Sequence, residues 1–193
     1  LYDRLASRYT KALARSMSNA KQVKAANPLN NGLPSVATYK TGDGVALFST
    51  AHPTISGTNV ANTLSTQADL NETSLEQALI DIAAFTDERG LKVAARGVKM
   101  IVPSANQFNA ERLLKSQGRT GTADNDINAV NSMGMIPQGY RVNHFLNDSD
   151  SWYIITDVPN GMKHFERTPL TTSMEGDFDT GNVRYKARER YVF

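Results

Sequence analysis

Between Leu1 and Ala26 the chain has neither glycine nor proline, and Leu1, Leu5, Tyr9, Leu13 and Met17 recur every four residues. That spacing places the five side chains along one slowly drifting face and predicts an amphipathic helix over residues 1–26. Arg4, Arg8, Lys11 and Arg15 recur at four, three and four residues and form a second, basic stripe on the same helix. Asn27-Pro28 is expected to break it, because the residue before a proline disfavours the α region.

The stretch 27–71 is rich in Gly, Pro, Asn, Ser and Thr. It carries a tight-turn signal at Gly42-Asp43-Gly44, a short apolar run at Val45–Phe48 that suits a strand, and an irregular polar segment from Ile55 to Asp69. Thr73-Ser74-Leu75-Glu76 has the form of a capping box, followed by the apolar stripe Leu75, Leu79, Ile82 and Phe85, with Gly90 placed to close the helix. Val98–Val102 reads as a strand ended by Pro103. Ser104–Gln107 then opens a short helix holding Phe108, Leu113 and Leu114. Tyr140–Leu146 and Ser151–Thr156, joined by Asn147-Asp148-Ser149-Asp150, predict a hairpin. In the final strand, Val183–Phe193, the apolar residues Val183, Tyr185, Ala187, Tyr191 and Phe193 alternate with Arg184, Lys186, Arg188 and Arg190. The fold class these elements predict is α+β.

Without cysteine, disulfides, thiol nucleophiles and cysteine-type zinc sites are excluded. The longest apolar runs are too short to cross a bilayer, and no secretory signal opens the sequence. The formal charge of +2 is unevenly spread. Residues 1–26 hold six Lys/Arg and one Asp, 184–190 hold four Lys/Arg and one Glu, and the remainder is net acidic. That asymmetry suits an anionic partner on one surface only. Both basic stripes read as nucleic-acid-facing, touching phosphate without reading bases, or as solvated faces, or as faces that pair with acids on neighbouring subunits. His52, His144 and His164 lack metal-helix spacing and are expected to be turn or surface histidines. The acid pairs Asp124/Asp126, Asp148/Asp150 and Asp177/Asp179 lack the glycine and distal glutamate of a calcium loop and are expected to be turn acids. No catalytic residue, cofactor or metal site is predicted.

The order of segments resembles the major capsid proteins of tailed bacteriophages, a fold shared with the herpesvirus capsid floor and with encapsulin shells. Leu1–Ala26 is similar to that family's spine helix, and Ser74–Arg89 to its second peripheral-domain helix. Lys99-Met100-Ile101-Val102-Pro103, followed by Gln107-Phe108 and Leu113-Leu114-Lys115, resembles the entry to the axial domain. Asn131–Pro137 resembles the segment before that domain's central strands, and Asp179-Thr180-Gly181-Asn182 with Arg184–Tyr191 resembles the returning strand. Leu47–Thr54 and Phe85-Thr86-Asp87-Glu88-Arg89-Gly90 resemble a Mu-like head-subunit branch.

The resemblance implies a peripheral domain over 1–95, an axial α/β domain over 96–165 and a return to the peripheral domain over 166–193. It also implies an N-terminal arm and an extended loop ahead of residue 1, since position 1 already lies within the helical pattern. The implied function is structural: a non-enzymatic subunit of an icosahedral head enclosing double-stranded DNA. Implied partners are other copies in pentamers and hexamers, packaged DNA held without sequence preference, a scaffold and a maturation protease, with no membrane. The location implied is the virion, assembled in the bacterial host cytoplasm. The loop Gln117–Asn131, with Arg119, Asp124 and Asp126, would lie at the capsomer axis, mobile in the free chain and ordered on assembly. The alternatives are an encapsulin-like compartment, a small hydrolase using one of the histidines, and a free nucleic-acid-binding domain.

Overall fold

The computed structural model describes residues 2–33, 39–119 and 126–193, with side chains from Ser7 onward. The chain divides into two units. Residues 1–25 with 160–193 form a helix-and-ribbon unit, and residues 26–159 form a core unit. Helix α1 (Tyr2–Asn30) crosses the division between Ala25 and Ala26.

The core unit is built around β3 (Gly97–Val102), whose Met100 and Val102 are fully buried. It pairs on one edge in parallel with β4 (Tyr140–Val142), with Met100 opposite Tyr140 and Val102 opposite Val142. On the other edge it pairs antiparallel with β5 (Tyr153–Thr156), with Met100 opposite Ile154. The predicted hairpin between the last two strands is therefore corrected: they flank β3 and never pair with each other. An apolar central strand has two unpaired edges, and separate strands on each side satisfy its backbone more fully than a side-by-side hairpin.

Helix α2 (Glu72–Ala83) lays Leu75, Leu79 and Ile82 on this core, as their spacing predicts. Its cap differs from the expected one. Asn71 is the N-cap: its side chain accepts from the Ser74 N–H at 2.9 Å, and the Ser74 hydroxyl oxygen accepts from the Asn71 N–H at 3.0 Å. Asn is as good an N-cap as Thr or better, so the helix starts one residue ahead of Thr73. It ends at Ala83, and Gly90 instead serves the turn Asp87–Leu91 with φ +85°. A one-turn 3-10 helix (Ser104–Asn106) leads into α3 (Gln107–Lys115), which buries Ala110, Leu113 and Leu114 but leaves Phe108 exposed; no side chain caps either start. The short α4 (Ala129–Ser132) adds Val130. Leu70, Ile136, Trp152 and Ile154 complete the cluster, so the core runs continuously across position 95.

Pro28 does not break α1, which continues to Asn30. Its missing N–H costs one bond, and local packing offsets this: Ala26 and Leu29 are buried, Asn30 donates to Phe145 O at 2.9 Å and accepts from Asn147 N at 3.0 Å, and Tyr153 donates to Leu29 O at 3.0 Å. Burial pushes the Tyr153 hydroxyl up. Val45–Phe48 forms no strand; the segment holds one bridge, Lys40 to Ala46. Two-residue strands β1 (His52–Pro53) and β2 (Asn59–Val60) pair antiparallel beyond it. Asp43 organises the turn: it accepts from the Thr41 hydroxyl, from Val45 N at 3.0 Å and meets His52 Nδ1 at 2.7 Å.

In the helix-and-ribbon unit, β6 (Phe165–Gly176) and β7 (Val183–Val192) pair antiparallel, and among the described residues with each other alone. The first of these strands is absent from the sequence-based prediction, and Pro169 explains why. Proline cannot donate to a ladder, and two register shifts, between Glu166 and Thr168 and between Thr168 and Thr171, surround it and blur the alternation. On α1, Leu13 and Met17 are half-buried as expected, whereas Tyr9 is 69% exposed. Leu5 lies among residues whose side chains are not described. None of the described residues in this unit is buried.

Two outcomes test this architecture. Met100→Ala should lower unfolding stability by roughly 2–5 kcal/mol, and Met133→Ala, 71% exposed, should stay within about 0.5 kcal/mol. Urea denaturation followed by fluorescence of Trp152, the single tryptophan, reads both. The Thr41 hydroxyl first, then His52 and Val45 N–H, hold the Asp43 carboxyl far below its usual 3.8. Its folded value is depressed, so its stabilisation is present above the usual value and is lost as pH falls below it. Asp43→Asn should therefore flatten the acid limb of the stability–pH curve below about pH 4 and leave neutral-to-alkaline dependence alone.

Candidate functional site

A strongly charged surface lies on the ribbon. Residues in register across an antiparallel pair share a face. Lys186 stands opposite Ser173, Arg188 opposite Thr171, and Arg190 opposite Thr168. These cations are exposed and, among the described residues, make no ion pair. Arg184, opposite Glu175, is held by Asp177 at 2.6 Å. The other face of β7 presents Tyr185, Ala187, Glu189 and Tyr191, each half-buried. The alternation in the sequence thus locates the basic row correctly, but the hydroxyl row beside it was hidden, because it depends on the register of β6.

At the base of the ribbon, His164, Tyr191 and Phe193 form a ring cluster with centroids 4.7–6.0 Å apart. Lys21 and Lys24 of α1 lie over the Tyr191 ring at 5.1 and 5.6 Å, and Lys21 pairs with Glu166 at 3.1 Å. On the helix, Arg8, Lys11 and Arg15 are exposed; the Arg4 side chain lies outside the described residues.

The expected capsomer-axis loop is partly described. Arg119 N donates to Asp126 O at 2.8 Å and Asn128 N to Gln117 O at 3.1 Å, forming a short ladder at its base. Asp124 lies outside the described residues. The Arg119 guanidinium reaches Glu72 of α2 at 2.8 Å, which raises its pKa, and Asp126 contributes only at longer range.

The histidines do not converge. His52 meets Asp43, but among the described residues its buried Nε2 meets no hydroxyl or other partner. His144 is exposed in a turn, and His164 belongs to the ring cluster. Asp148 and Asp177 accept from the N–H two residues on, at 3.1 and 3.3 Å, as turn acids do. Beside Tyr140, Lys115 pairs with Glu111 at 2.9 Å; that hydrogen bond lowers the acid and raises the base. Among the described residues no group of three or more His, Asp or Glu is placed to hold a metal, and no helix is long and apolar enough to cross a membrane.

This surface is a charged ribbon and helix on one unit and a separate packed core on the other, without a convergent catalytic cluster among the described residues. Comparisons with curated proteins and with solved structures return no match. A family model described as phage capsid protein matches residues 2–193. Over essentially its whole length, then, the chain belongs to the phage capsid protein family, whose members are structural subunits of the virion shell.

Proposed function

We propose that the chain is the major head subunit of a tailed phage, of a Mu-like branch, and that its copies close into an icosahedral shell around double-stranded DNA. The observation that carries this is the helix-and-ribbon unit's lack of any buried residue among those described. A two-stranded ribbon is at best marginally stable alone in water, and a helix with one half-buried face does not supply a core. Phe165, Met174, Phe178 and Val183 are all more than half exposed, and Phe178 at the ribbon tip is fully so. In a capsid family the occupant that covers such surface is another copy of the chain. Both ribbon edges also carry unpaired backbone groups that a neighbour can satisfy.

In this assignment the spine helix and the returning residues 166–193 belong to the peripheral domain, and the axial domain lies within 96–165. Arg119, Asp124 and Asp126 lie toward the capsomer axis of pentamers and hexamers. Arg8, Lys11 and Arg15 on the helix face neighbouring copies or the interior. Assembly takes place in the host cytoplasm with a scaffold and a maturation protease.

The test is expression of the full-length gene product with its scaffold and protease. Electron microscopy should show closed icosahedral particles, and nuclease-treated particles should retain double-stranded DNA; particles filled with a cargo protein would instead establish an encapsulin-like compartment. Phe178→Ser should reduce particle yield at least several-fold by sedimentation, while the Trp152 unfolding midpoint shifts by no more than about 0.5 kcal/mol equivalent. Amides of β6 and β7 should exchange fast in the free chain and be protected in the shell; equal protection in both would contradict completion by neighbouring copies.

A further inference from the structure

Resting on the shell reading above, we propose that Lys186, Arg188 and Arg190 form a sequence-independent binding row for the phosphate backbone of double-stranded DNA, and that this face of the ribbon looks onto the packaged genome. Alternate residues of a strand are about 6.8 Å apart, so the three cations make a row roughly 14 Å long. Of the ribbon's acids, Glu166 and Glu189 are on the opposite face, and Asp177 and Asp179 lie in the tip turn, where Asp177 holds Arg184; Glu175 shares the face of the row but stands opposite Arg184, beyond Lys186. Among the described residues the three cations form no ion pair.

The neighbours in register are Ser173, Thr171 and Thr168; Thr171 donates its hydroxyl to the Arg188 carbonyl at 3.2 Å, and the Ser173 and Thr168 hydroxyls suit phosphate oxygens. No aromatic side chain stands in register with the three cations; Pro169 and the 40% exposed Leu170 fall in the register shift between Thr168 and Thr171, and at the base Phe165 stands opposite Val192. Protein–protein interface cores are enriched in aromatics, Met and Arg and depleted in Lys and Ser, so Arg188 and Arg190 suit either occupant, and it is Lys186 and Ser173, with no aromatic anchor in register beside them, that favour DNA over a neighbouring subunit. The lack of a stacking ring also argues against base readout or single-strand binding. Charge points the same way at larger scale. The helix-and-ribbon unit carries 12 Lys/Arg against 6 Asp/Glu, whereas the core unit carries 9 against 13 and would repel DNA.

The experiment measures binding of the 193-residue chain to two unrelated fluorescent duplexes by anisotropy across a salt series. Lys186→Gln/Arg188→Gln/Arg190→Gln is compared with Arg89→Gln/Lys92→Gln/Arg96→Gln, which removes the same charge from exposed cations of the core unit. Circular dichroism and the Trp152 unfolding curve confirm that both variants are folded. The expected result is equal affinity of the unmodified chain for the two duplexes, and a plot of log K against log salt that flattens by about 2.7 for the ribbon variant alone. An unchanged slope in the ribbon variant overturns the proposal, as does an equal flattening in the core-unit variant, which would mark a generic charge effect. A ribbon variant that keeps its DNA affinity but no longer forms particles also overturns it and assigns the row to a neighbouring copy. The contents of unmodified particles decide the shell reading separately: particles without DNA refute that reading, whereas the slopes decide the row.

Discussion

β3 holds the core unit together because it is used on every side. Both of its edges are paired, Met100 and Val102 are excluded from solvent, and α2 and α3 contribute Leu75, Leu79, Leu113 and Leu114 to the same cluster. Gly97 shows how closely the layers approach: a Cβ there would stand 3.0 Å from a Leu79 methyl and 3.1 Å from an Ile154 methyl. Contacts this close leave little room for relaxation, so the loops emerging from the core unit start from fixed positions. The cap of α2 and the last turn of α1 depend on that rigidity, the first through Asp69–Asn71 beside Leu70, the second through Tyr153 and Asn30.

The helix-and-ribbon unit follows a different physical logic. It has long regular elements, well-formed ladder bonds and an aromatic–lysine cluster at its base, yet its described residues have no interior. A subunit whose stability is partly supplied by its neighbours couples folding of that unit to association. On the proposed reading as a shell subunit this has a use: surface that is incomplete in the free chain would become the contact that closes the particle. The unit whose described residues have no interior also carries the excess of cations.

Chemistry in the catalytic sense finds no support in the arrangement of the described residues. The Asp43–His52 pair has an acid and an imidazole in contact, two parts of a nucleophile-activating set, but no hydroxyl meets Nε2. Its partners, Thr41 and Val45, instead make it the centre of a turn that anchors the strand pair β1–β2. The acid pairs at 148/150 and 177/179 likewise spend an oxygen on their own backbone.

What the sequence by itself determined was whatever repeats locally. The four-residue spacing in α1, the stripe Leu75–Leu79–Ile82, the apolar run of β3 and the alternation of β7 each became the element their period predicts, because side-chain direction is fixed by the backbone repeat. The row Lys186, Arg188 and Arg190 was legible for the same reason. Tertiary structure alone decided which strands pair and which polar groups serve as caps. β4 and β5 went to opposite edges of β3, Asn71 displaced Thr73 as the cap, α1 ran through Pro28, and β6 formed around Pro169. Each of these depends on partners distant in the chain or on competition between neighbouring caps of similar strength, and periodicity, being local, carries no information about either.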